Sequence, residues 1–474
     1  MTVLASAPVV LALSAGFVAE AVKGRLVSGD PARVFASVST DSRALADPVV
    51  VSGALFIALS GPNFDGHTFV PDLVRRQVGG LLVSHPVSAP GPVAVIEVPD
   101  TLVALQDLAR AVRRASHACV IAITGSAGKT TTKEMTADLL GATFNVFRNQ
   151  GNLNNHIGLP LSLLELRHGA DVAVVELGMN HAGEIRTLVG ISEPDVRLWT
   201  NVGDAHIGHF GARDAIADAK AEILEGATAS SALIANADDA LVMARIGGFA
   251  GRTITFGESE GADIRATDIV DHGFDGTAAN VWIDGAAYAI RVPLPGRANL
   301  MNALAAIAVA ADAGVPVSAM VPRLSALRPV SRRGEVVTLA SGVRVVDDSY
   351  NASPAALLRS FEALAATPAP RRIAMLGEMR ELGDLAITLH VACGRAAVAA
   401  GVDELVVVGG QVADGLAKGA RASGLAPERI HRFADSTAAA DHAAALVKPG
   451  DLVLVKGSRG TRMDIVADRL KGSA

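Results

Sequence analysis

The hydrophobic positions of this chain are grouped into short apolar runs that alternate with longer segments of helical character. In the middle of the sequence, such runs occupy residues 118–124, 171–177, 195–202 and 232–235. Runs without regular polar positions are typical of strands that are covered on both faces. This pattern predicts a parallel sheet between two layers of helices, closed by an Ala-rich helix at residues 298–313.

The regions on either side have patterns of their own. Residues 1–98 contain short β-like runs and many turn residues, which indicate a small α/β domain, and Ser14 is placed to cap a helix that runs to about Val22. Residues 252–293 have the pattern of several short strands, at an insertion or an edge of the central sheet. From residue 315 strands and helices alternate again, with strands predicted at residues 344–348, 372–376, 404–408 and 451–455.

Composition narrows the class of protein. The 474 residues, half of them hydrophobic, are enough for about three domains. A net charge of −6 gives no reason to expect a nucleic acid or an anionic membrane as partner. The two cysteines, Cys119 and Cys393, fit a reducing compartment. The apolar N-terminal stretch lacks the leading positive charge of an export signal, and no segment offers about 18 uncharged apolar residues. We therefore expect a cytoplasmic protein without a membrane span.

Candidate chemistry begins where the first apolar run of the central region ends, at a glycine-rich loop followed by a predicted helix over residues 129–140. Glycines at 125 and 128 let backbone N–H groups turn toward phosphate oxygens. Lys129 supplies charge for the β- and γ-phosphates, and the Thr130 hydroxyl can ligate Mg²⁺. An ordinary glycine turn with a solvated lysine is the alternative. In this context the loop predicts ATP binding by Gly125, Ser126, Ala127, Gly128, Lys129, Thr130 and Thr131.

Three further side chains are candidates for the same site. Glu176 ends the next apolar run, where a carboxylate is the natural second ligand for a nucleotide-bound metal. His206 lies in a glycine-rich loop after the following run and could hold a metal or orient a substrate. Lys220 lies on a predicted helix, and its spacing alone indicates an ordinary solvated lysine.

Together, and in this order along the chain, these motifs resemble the Mur ligases of peptidoglycan synthesis. The resemblance covers essentially the whole chain and is carried by residues 40–43, 53–61, 65–67, 125–132, 152–160, 176–180, 200–211, 296–302, 347–354, 376–383 and 456–460, with Lys220 and His390. With the hydrophobic pattern, it predicts an α/β fold of three domains. These are a small N-terminal α/β domain that binds a UDP substrate (residues 1–98), a central phosphate-loop ATPase domain with a parallel sheet (99–314) and a C-terminal Rossmann-like α/β domain (315–474).

The resemblance implies an ATP-dependent amide ligase. It would join D-alanyl-D-alanine to UDP-N-acetylmuramoyl-tripeptide through an acyl phosphate, and we expect it to act as a monomer. By the same analogy, the catalytic residues are Lys129, Glu176, His206 and Lys220. Mg²⁺ would be held by Thr130, Glu176, His206 and Lys220, the last as a carbamate, which turns a repelling ammonium into an anionic oxygen ligand. The role of Lys220 follows from the resemblance and not from its spacing.

Other roles follow from the same resemblance. Asn155, Asn299 and Asn302 match adenine-binding positions, where an amide offers both a donor and an acceptor. Arg333 and Asp348 match residues that reach back to ATP, which implies that the third domain closes over the second. Candidates for the dipeptide site are Tyr350, Asn351, Glu378, Lys456 and Arg459. Candidates for the UDP moiety are Ser42, Arg43, Phe56, Asp65 and His67.

Each of several other functional assignments fails to account for a particular feature of the sequence. Another Mur-type ligase, which adds a single amino acid, would carry an Asn-Pro-Arg signature where this chain has Glu378-Met-Arg-Glu-Leu382. A folylpolyglutamate synthetase would lack the first domain. A phosphate-loop switch or kinase would not account for Lys220, the two asparagines at 299 and 302 and Asp348 together. A non-catalytic homologue would have no need to keep the whole catalytic set.

Overall fold

The structure is a computed structural model that describes residues 9–61, 64–149, 151, 153–205, 207–329 and 331–472. Within these ranges the chain forms three large sheets, each built from a continuous part of the sequence, and two small two-stranded ones. None of the helices in the described ranges is both long and apolar enough to cross a bilayer.

The first part of the chain forms a five-stranded sheet of order β2-β9-β8-β5-β4. The Ser14 hydroxyl accepts a hydrogen bond from the Phe17 N–H at 3.1 Å, which confirms the predicted cap. The strands are β1 Leu13–Ser14, β2 Arg25–Ser28, β3 Val34–Phe35, β4 Ser37–Ser39, β5 Ala54–Ile57, β6 Ser60–Gly61, β7 Phe64–Asp65, β8 Gly80–Val83 and β9 Ala94–Glu97. The helices are α1 Ala15–Ala21, α2 Pro48–Ser52, α3 Val70–Arg75 and α4 Thr101–Ser116.

The central part forms a nine-stranded sheet of order β11-β12-β10-β13-β14-β15-β16-β17-β18. The strands are β10 Cys119–Thr124, β11 Val146–Arg148, β12 Val172–Glu176, β13 Val196–Trp199, β14 Ala232–Asn236, β15 Arg252–Gly257, β16 Ile264–Asp271, β17 Thr277–Ile283 and β18 Ala286–Val292. The helices are α5 Lys129–Leu140, α6 Gly158–Leu163, α7 Glu184–Ser192, α8 Ile207–Phe210, α9 Arg213–Ala221, α10 Ala240–Met243, α11 Arg297–Asp312 and α12 Val317–Ala326.

Strands β10 to β16 are parallel to one another, whereas β17 pairs in antiparallel fashion with both β16 and β18. Both faces are covered. Val120 and Ala122 of β10 pack in one core with helices α4, α6 and α7, whereas Ile121 and Ile123 pack in another with α5 and α11. The predicted central sheet between two helix layers, and its extension by the strands of residues 252–293, are therefore confirmed.

The third part forms a six-stranded sheet of order β19-β20-β24-β21-β22-β23, parallel except for β19. The strands are β19 Glu335–Thr338, β20 Arg344–Asp348, β21 Arg371–Gly377, β22 Glu404–Val408, β23 Ile430–Phe433 and β24 Asp451–Lys456. The helices are α13 Pro354–Ala366, α14 Ala386–Ala399, α15 Asp414–Ala422, α16 Ser436–Leu446 and α17 Asp464–Lys471. The four predicted strands form the centre of this sheet, while the two edge strands were not predicted.

The loop between β16 and β17 of the central part packs against the third part of the chain. Its Phe274 is 4% exposed and packs in the hydrophobic core that includes α13. The Phe274 N–H donates to Thr367 Oγ1 at 2.8 Å, and Asp275 forms an ion pair with Arg344 at 2.5 Å. These contacts fix the third part of the chain against the central one.

Candidate active site

A cavity of about 1170 Å³ lies between the central and third parts of the chain. One wall is formed by the loop after β10, the ends of β12 and β13, and the beginning of α11. The other is formed by the end of β20, the first turns of α13 and the loop after β24. These are the carboxyl ends of parallel strands, where open α/β sheets bind their ligands.

The glycine-rich loop is already shaped for phosphate. Gly125 and Gly128 have φ angles of +151° and +84°, and a Cβ on either would overlap the side chain of Thr200 or Asn302. Helix α5 begins at Lys129, as predicted, so its free N–H groups lie beside the loop. Lys129 Nζ donates to the Gly125 carbonyl at 2.8 Å, a bond that a phosphate can replace. The loop is therefore a preformed anion site.

Two of the proposed metal ligands meet at this wall of the cavity. Thr130 Oγ1 donates to Glu176 Oε2 at 2.7 Å, because β10 and β12 are neighbours with Ile123 opposite Glu176. The other carboxylate oxygen of Glu176 accepts from Asn154 Nδ2 at 2.8 Å. A hydroxyl and a carboxylate at a phosphate loop fit the hard oxygen ligands of Mg²⁺. His206, the third candidate, lies outside the described residues.

Lys220 is buried, so the interpretation of its position as a solvated helix face is wrong. It lies near the end of α9 and is 2% exposed, and its Nζ makes no hydrogen bond or ion pair with any described residue. Burial lowers the pKa of Lys220 well below its ordinary range, the charge of Lys129 lowers it further, and Glu176 opposes both effects. Its amine is thus close to the phosphate loop and is favoured in its neutral, nucleophilic form.

The three asparagines line the cavity but already have protein partners. The side-chain oxygen of Asn155 accepts from the N–H groups of Ile157 and Gly158, just before and at the start of α6, at 3.1 and 2.7 Å. Asn302 Nδ2 donates to Asn299 Oδ1 at 3.1 Å, and Asn302 Oδ1 accepts from Thr132. The amides at 299 and 302 therefore link the start of α11 to helix α5.

The third part of the chain contributes a cluster of charged groups to the opposite wall. The guanidinium of Arg333 lies over the Tyr350 ring, 4.1 Å from its centroid. Lys456 Nζ donates to Asp348 Oδ2 at 2.5 Å and to the Asn351 carbonyl at 3.2 Å. These five residues and Arg459 line the cavity.

Glu378 is the one dipeptide candidate that does not line this cavity. Its side chain lies beside Gly409 at the end of β22, and its carbonyl accepts the Ser458 N–H at 3.2 Å. His390 supports the same loop from behind, because its Nε2 accepts the Met379 N–H at 2.9 Å. Burial lowers the pKa of His390, which favours the neutral ring that this bond requires.

The residues predicted to bind UDP lie elsewhere, in the first part of the chain. Ser42 and the exposed Arg43 are neighbours on one short helix. Phe56 is 0% exposed within the core beneath β5, so the prediction that its side chain contacts a ligand is corrected. An aromatic side chain in a short apolar strand serves the core as readily as a binding surface, and sequence alone does not separate the two.

Asp65 and His67 form a closed hydrogen-bonded unit. The two side chains are joined through His67 Nδ1 at 2.6 Å, while His67 Nε2 accepts the Ser84 N–H at 3.0 Å. Both ring nitrogens thus have protein partners, and the assignment of His67 to the UDP moiety stays a prediction. For the same reason His67 is not free to bind a metal with Asp65 and His85, although their ligand atoms lie within 4.8 Å of one another.

The sequence interpretation missed three side chains of the site. Asn154 lies within the motif at residues 152–160, but its hydrogen bond to Glu176 depends on the fold. Arg359 of α13 and Arg380 also line the cavity. Arg359, on a helix, has no feature in the sequence that distinguishes it from a solvated arginine, so only tertiary structure could reveal it. Arg380 lies within the motif at residues 376–383, but its place at the cavity depends on the fold.

Comparison with known proteins agrees with this architecture. Residues 123–310 match the Mur ligase middle domain, and residues 332–459 match the family described as "Mur ligase, glutamate ligase domain". The UDP-N-acetylmuramoyl-tripeptide--D-alanyl-D-alanine ligase of Bacillus subtilis is 35% identical over 96% of this chain and 97% of its own length. The Escherichia coli enzyme of the same name is 36% identical over 92% and 93%.

Solved structures give the same result. A crystal structure of MurF from Acinetobacter baumannii superposes with a TM-score of 0.88 at 30% identity, covering 98% of this chain and 99% of that one. The MurF ligase of Thermotoga maritima in complex with ADP gives a TM-score of 0.80 at 29% identity, covering 92% and 97%. With a preformed phosphate loop facing charged groups from a second sheet, and relatives that match it from end to end, this chain belongs to the Mur ligase family.

Proposed function

We propose that this protein is an ATP-dependent ligase that joins D-alanyl-D-alanine to UDP-N-acetylmuramoyl-tripeptide, giving the pentapeptide precursor of peptidoglycan. The observation that carries the proposal is the cavity in which the phosphate loop faces cationic groups from the third part of the chain. The full-length relatives named for this activity support the choice of substrates. Because ATP and UDP-linked precursors are cytoplasmic compounds, we place the protein in the cytoplasm.

The reaction requires activation of a carboxylate. A carboxylate oxygen of the tripeptide attacks the γ-phosphorus of ATP, the bond to the β–γ bridging oxygen breaks, and ADP leaves. The amine of the dipeptide then attacks the acyl carbon, loses a proton, and displaces phosphate as the amide bond forms. Negative charge is redistributed over the transferring phosphoryl group, and Lys129 and the N–H groups of the loop are placed to stabilise it.

Mg²⁺ fits the oxygen ligands at this site. Thr130 and Glu176 would hold it together with His206 and a carbamate on Lys220, and the ion would neutralise charge on the phosphates. The neutral amine of Lys220 can attack CO₂ and release one proton, giving an N-carboxylate. The product replaces a buried amine, which has no partner among the described residues, by an anionic oxygen ligand.

The division of labour among the domains follows the three sheets. We place the domain boundaries after residues 98 and 314, although α12 packs in the core of the central sheet. The UDP moiety would be bound by the first domain near Ser42, Arg43 and Asp65. The central domain binds ATP, and the third supplies Arg333, Asp348 and the dipeptide site. Since the cavity is built from a single chain, we propose that the monomer is active.

Phosphate release tests the proposed function. With Mg²⁺ and ATP present, we expect release only when UDP-N-acetylmuramoyl-tripeptide and D-alanyl-D-alanine are supplied together, because the acyl phosphate needs both a carboxylate and an amine. Each substrate alone is the control. Release without either would indicate a nucleotidase or a switch, and turnover with a free amino acid in place of the dipeptide would indicate a different ligase of the family.

Arg359 is expected to contribute to binding of the nucleotide. It lines the cavity, and its guanidinium makes no hydrogen bond or ion pair with any residue of the described ranges. Burial lowers the pKa of Arg359, while Glu362 and Asp348 raise it, so the side chain is a partly desolvated cation near Asp348. Arg359→Ala should raise the KM for ATP about tenfold, the usual effect of losing a hydrogen bond to a charged group.

Steady-state kinetics with each substrate varied in turn checks this prediction. The exposed Arg395 of α14 lies outside the cavity, so Arg395→Ala is a matched control. A selective rise in the KM for D-alanyl-D-alanine would instead assign Arg359 to the dipeptide.

A further inference from the structure

A fully buried lysine lies behind the phosphate loop. Lys133 of α5 is 0% exposed, one turn beyond Lys129, and does not line the cavity. Its Nζ donates a short hydrogen bond to the backbone carbonyl of Asn149 and lies 3.2 Å from a carboxylate oxygen of Glu134. Burying an ammonium is costly unless it is fully paired, so these partners account for its place in the fold.

Asn149 connects this lysine to Glu176. Strand β11 ends at Arg148, which lies opposite Val174 of β12, and Asn149 follows directly. The side-chain oxygen of Asn149 accepts the backbone N–H of Glu176 at 3.1 Å, and its Nδ2 donates to the Leu153 carbonyl at 2.9 Å. The amide thus extends the pairing of β12 by side-chain hydrogen bonds where the neighbouring strand has ended.

We propose that Lys133 and Asn149 are positioning residues that fix the Glu176 carboxylate for divalent-ion binding. Lys133 holds the Asn149 backbone, and the Asn149 side chain holds the backbone of Glu176. The Asn149 side chain also donates to the Leu153 carbonyl and so holds the segment that carries Asn154, whose side chain donates to the Glu176 carboxylate. The inference rests on the proposed function only in that Glu176 is taken as a ligand of the nucleotide-bound ion.

Binding of Mn²⁺ in the absence of turnover tests the inference. Mn²⁺ is titrated into protein saturated with ADP and followed by electron paramagnetic resonance, and ADP binding without the ion is measured by calorimetry. Lys133→Met and Asn149→Ala should each weaken Mn²⁺ binding about tenfold, as loss of an outer hydrogen bond to a metal ligand commonly does. Affinity for ADP alone should stay within about twofold of the original, because the phosphate loop is untouched.

A matched variant separates positioning from stability. Met135 is buried on the same helix but packs in the hydrophobic core, so Met135→Ala should lower the Tm without altering Mn²⁺ binding. If Asn149→Ala binds Mn²⁺ as Met135→Ala does, the inference is wrong. Asn149→Ala removes only a side chain, so it remains informative if Lys133→Met does not fold.

A double variant tests whether the two residues act in one chain of contacts. The double variant, Lys133→Met with Asn149→Ala, should have a Mn²⁺ affinity within about twofold of the affinity of whichever single variant binds the ion less tightly. Multiplicative losses would show independent effects and overturn the linkage. A protein that binds Mn²⁺–ADP in this way but does not ligate the dipeptide would contradict the proposed function and leave this inference standing.

Discussion

Lys129→Ala is expected to lower kcat for ligation by about 10³, the scale seen when a charge-stabilising group is removed from a phosphoryl-transfer site. Lys129 is the cation of the preformed loop, and in the absence of phosphate its Nζ is bonded to the Gly125 carbonyl. Burial lowers the pKa of Lys129, Glu176 opposes that effect and Arg333 adds to it, so the negative charge of an incoming phosphate would favour the cationic form of this amine. Initial rates of phosphate release with both substrates saturating give the measurement.

The fold should survive this substitution because the Lys129 side chain makes a single hydrogen bond within the described part of the chain, and the two glycines shape the loop independently. A melting curve establishes this point. Lys418→Ala, at an exposed position of α15 outside the cavity, is the control and should match the original rate. If Lys129→Ala keeps more than about a tenth of the original kcat, the loop does not take part in phosphoryl transfer.

The second large effect is expected at Lys220, where the proposed carbamate supplies an anionic ligand. Lys220→Ala should lower kcat by about 10²–10³. Because the alanine leaves a buried space beside the phosphate loop, formate or acetate should enter it and restore part of the activity. Lys220→Met removes the amine but fills the same space, so it should be equally inactive and not be rescued.

The carbamate can also be observed directly. Protein equilibrated with ¹³C-labelled bicarbonate should give a carbamate resonance in its NMR spectrum that is absent from Lys220→Met. Because burial lowers the pKa of this amine, the neutral form that reacts with CO₂ persists at a pH where an exposed lysine is fully protonated. Full activity of Lys220→Met, or equal rescue of both variants by formate, would contradict the proposed role.

The elements most accurately predicted from the sequence are those with continuous apolar runs bounded by turn residues. Strands β20 and β22 and helix α5 have the predicted bounds. Interior strands of a parallel sheet are buried on both faces, and glycines follow β22 and flank α5. The short strands β11, β19 and β23 lie at sheet edges, where half-exposed residues weaken the pattern. They were therefore not predicted.

The site residues also differ in whether a local motif predicts them or only the fold reveals them. The phosphate loop has a local motif, and the structure gives it the expected shape. Arg359 lies in no recognisable sequence motif, because its role depends on which helices and strands enclose it. Phe56 was assigned to a ligand surface from its motif, whereas the fold uses it in the core. Lys220 shows the opposite case, since a position with the spacing of a surface lysine is buried beside the nucleotide loop.

The sequence by itself determined the order of the interior strands of the central and third parts, the phosphate loop and the membership in the Mur ligase family, because each depends on neighbouring residues or on motifs in a set order. Only the tertiary structure decided which charged groups face one another across the cavity and which are buried. Burial, pKa and hydrogen bonding depend on contacts between distant segments, such as Lys133 with Asn149 or Lys456 with Asp348. Such contacts arise from sheet order and domain packing, which hydrophobic periodicity along the chain does not specify.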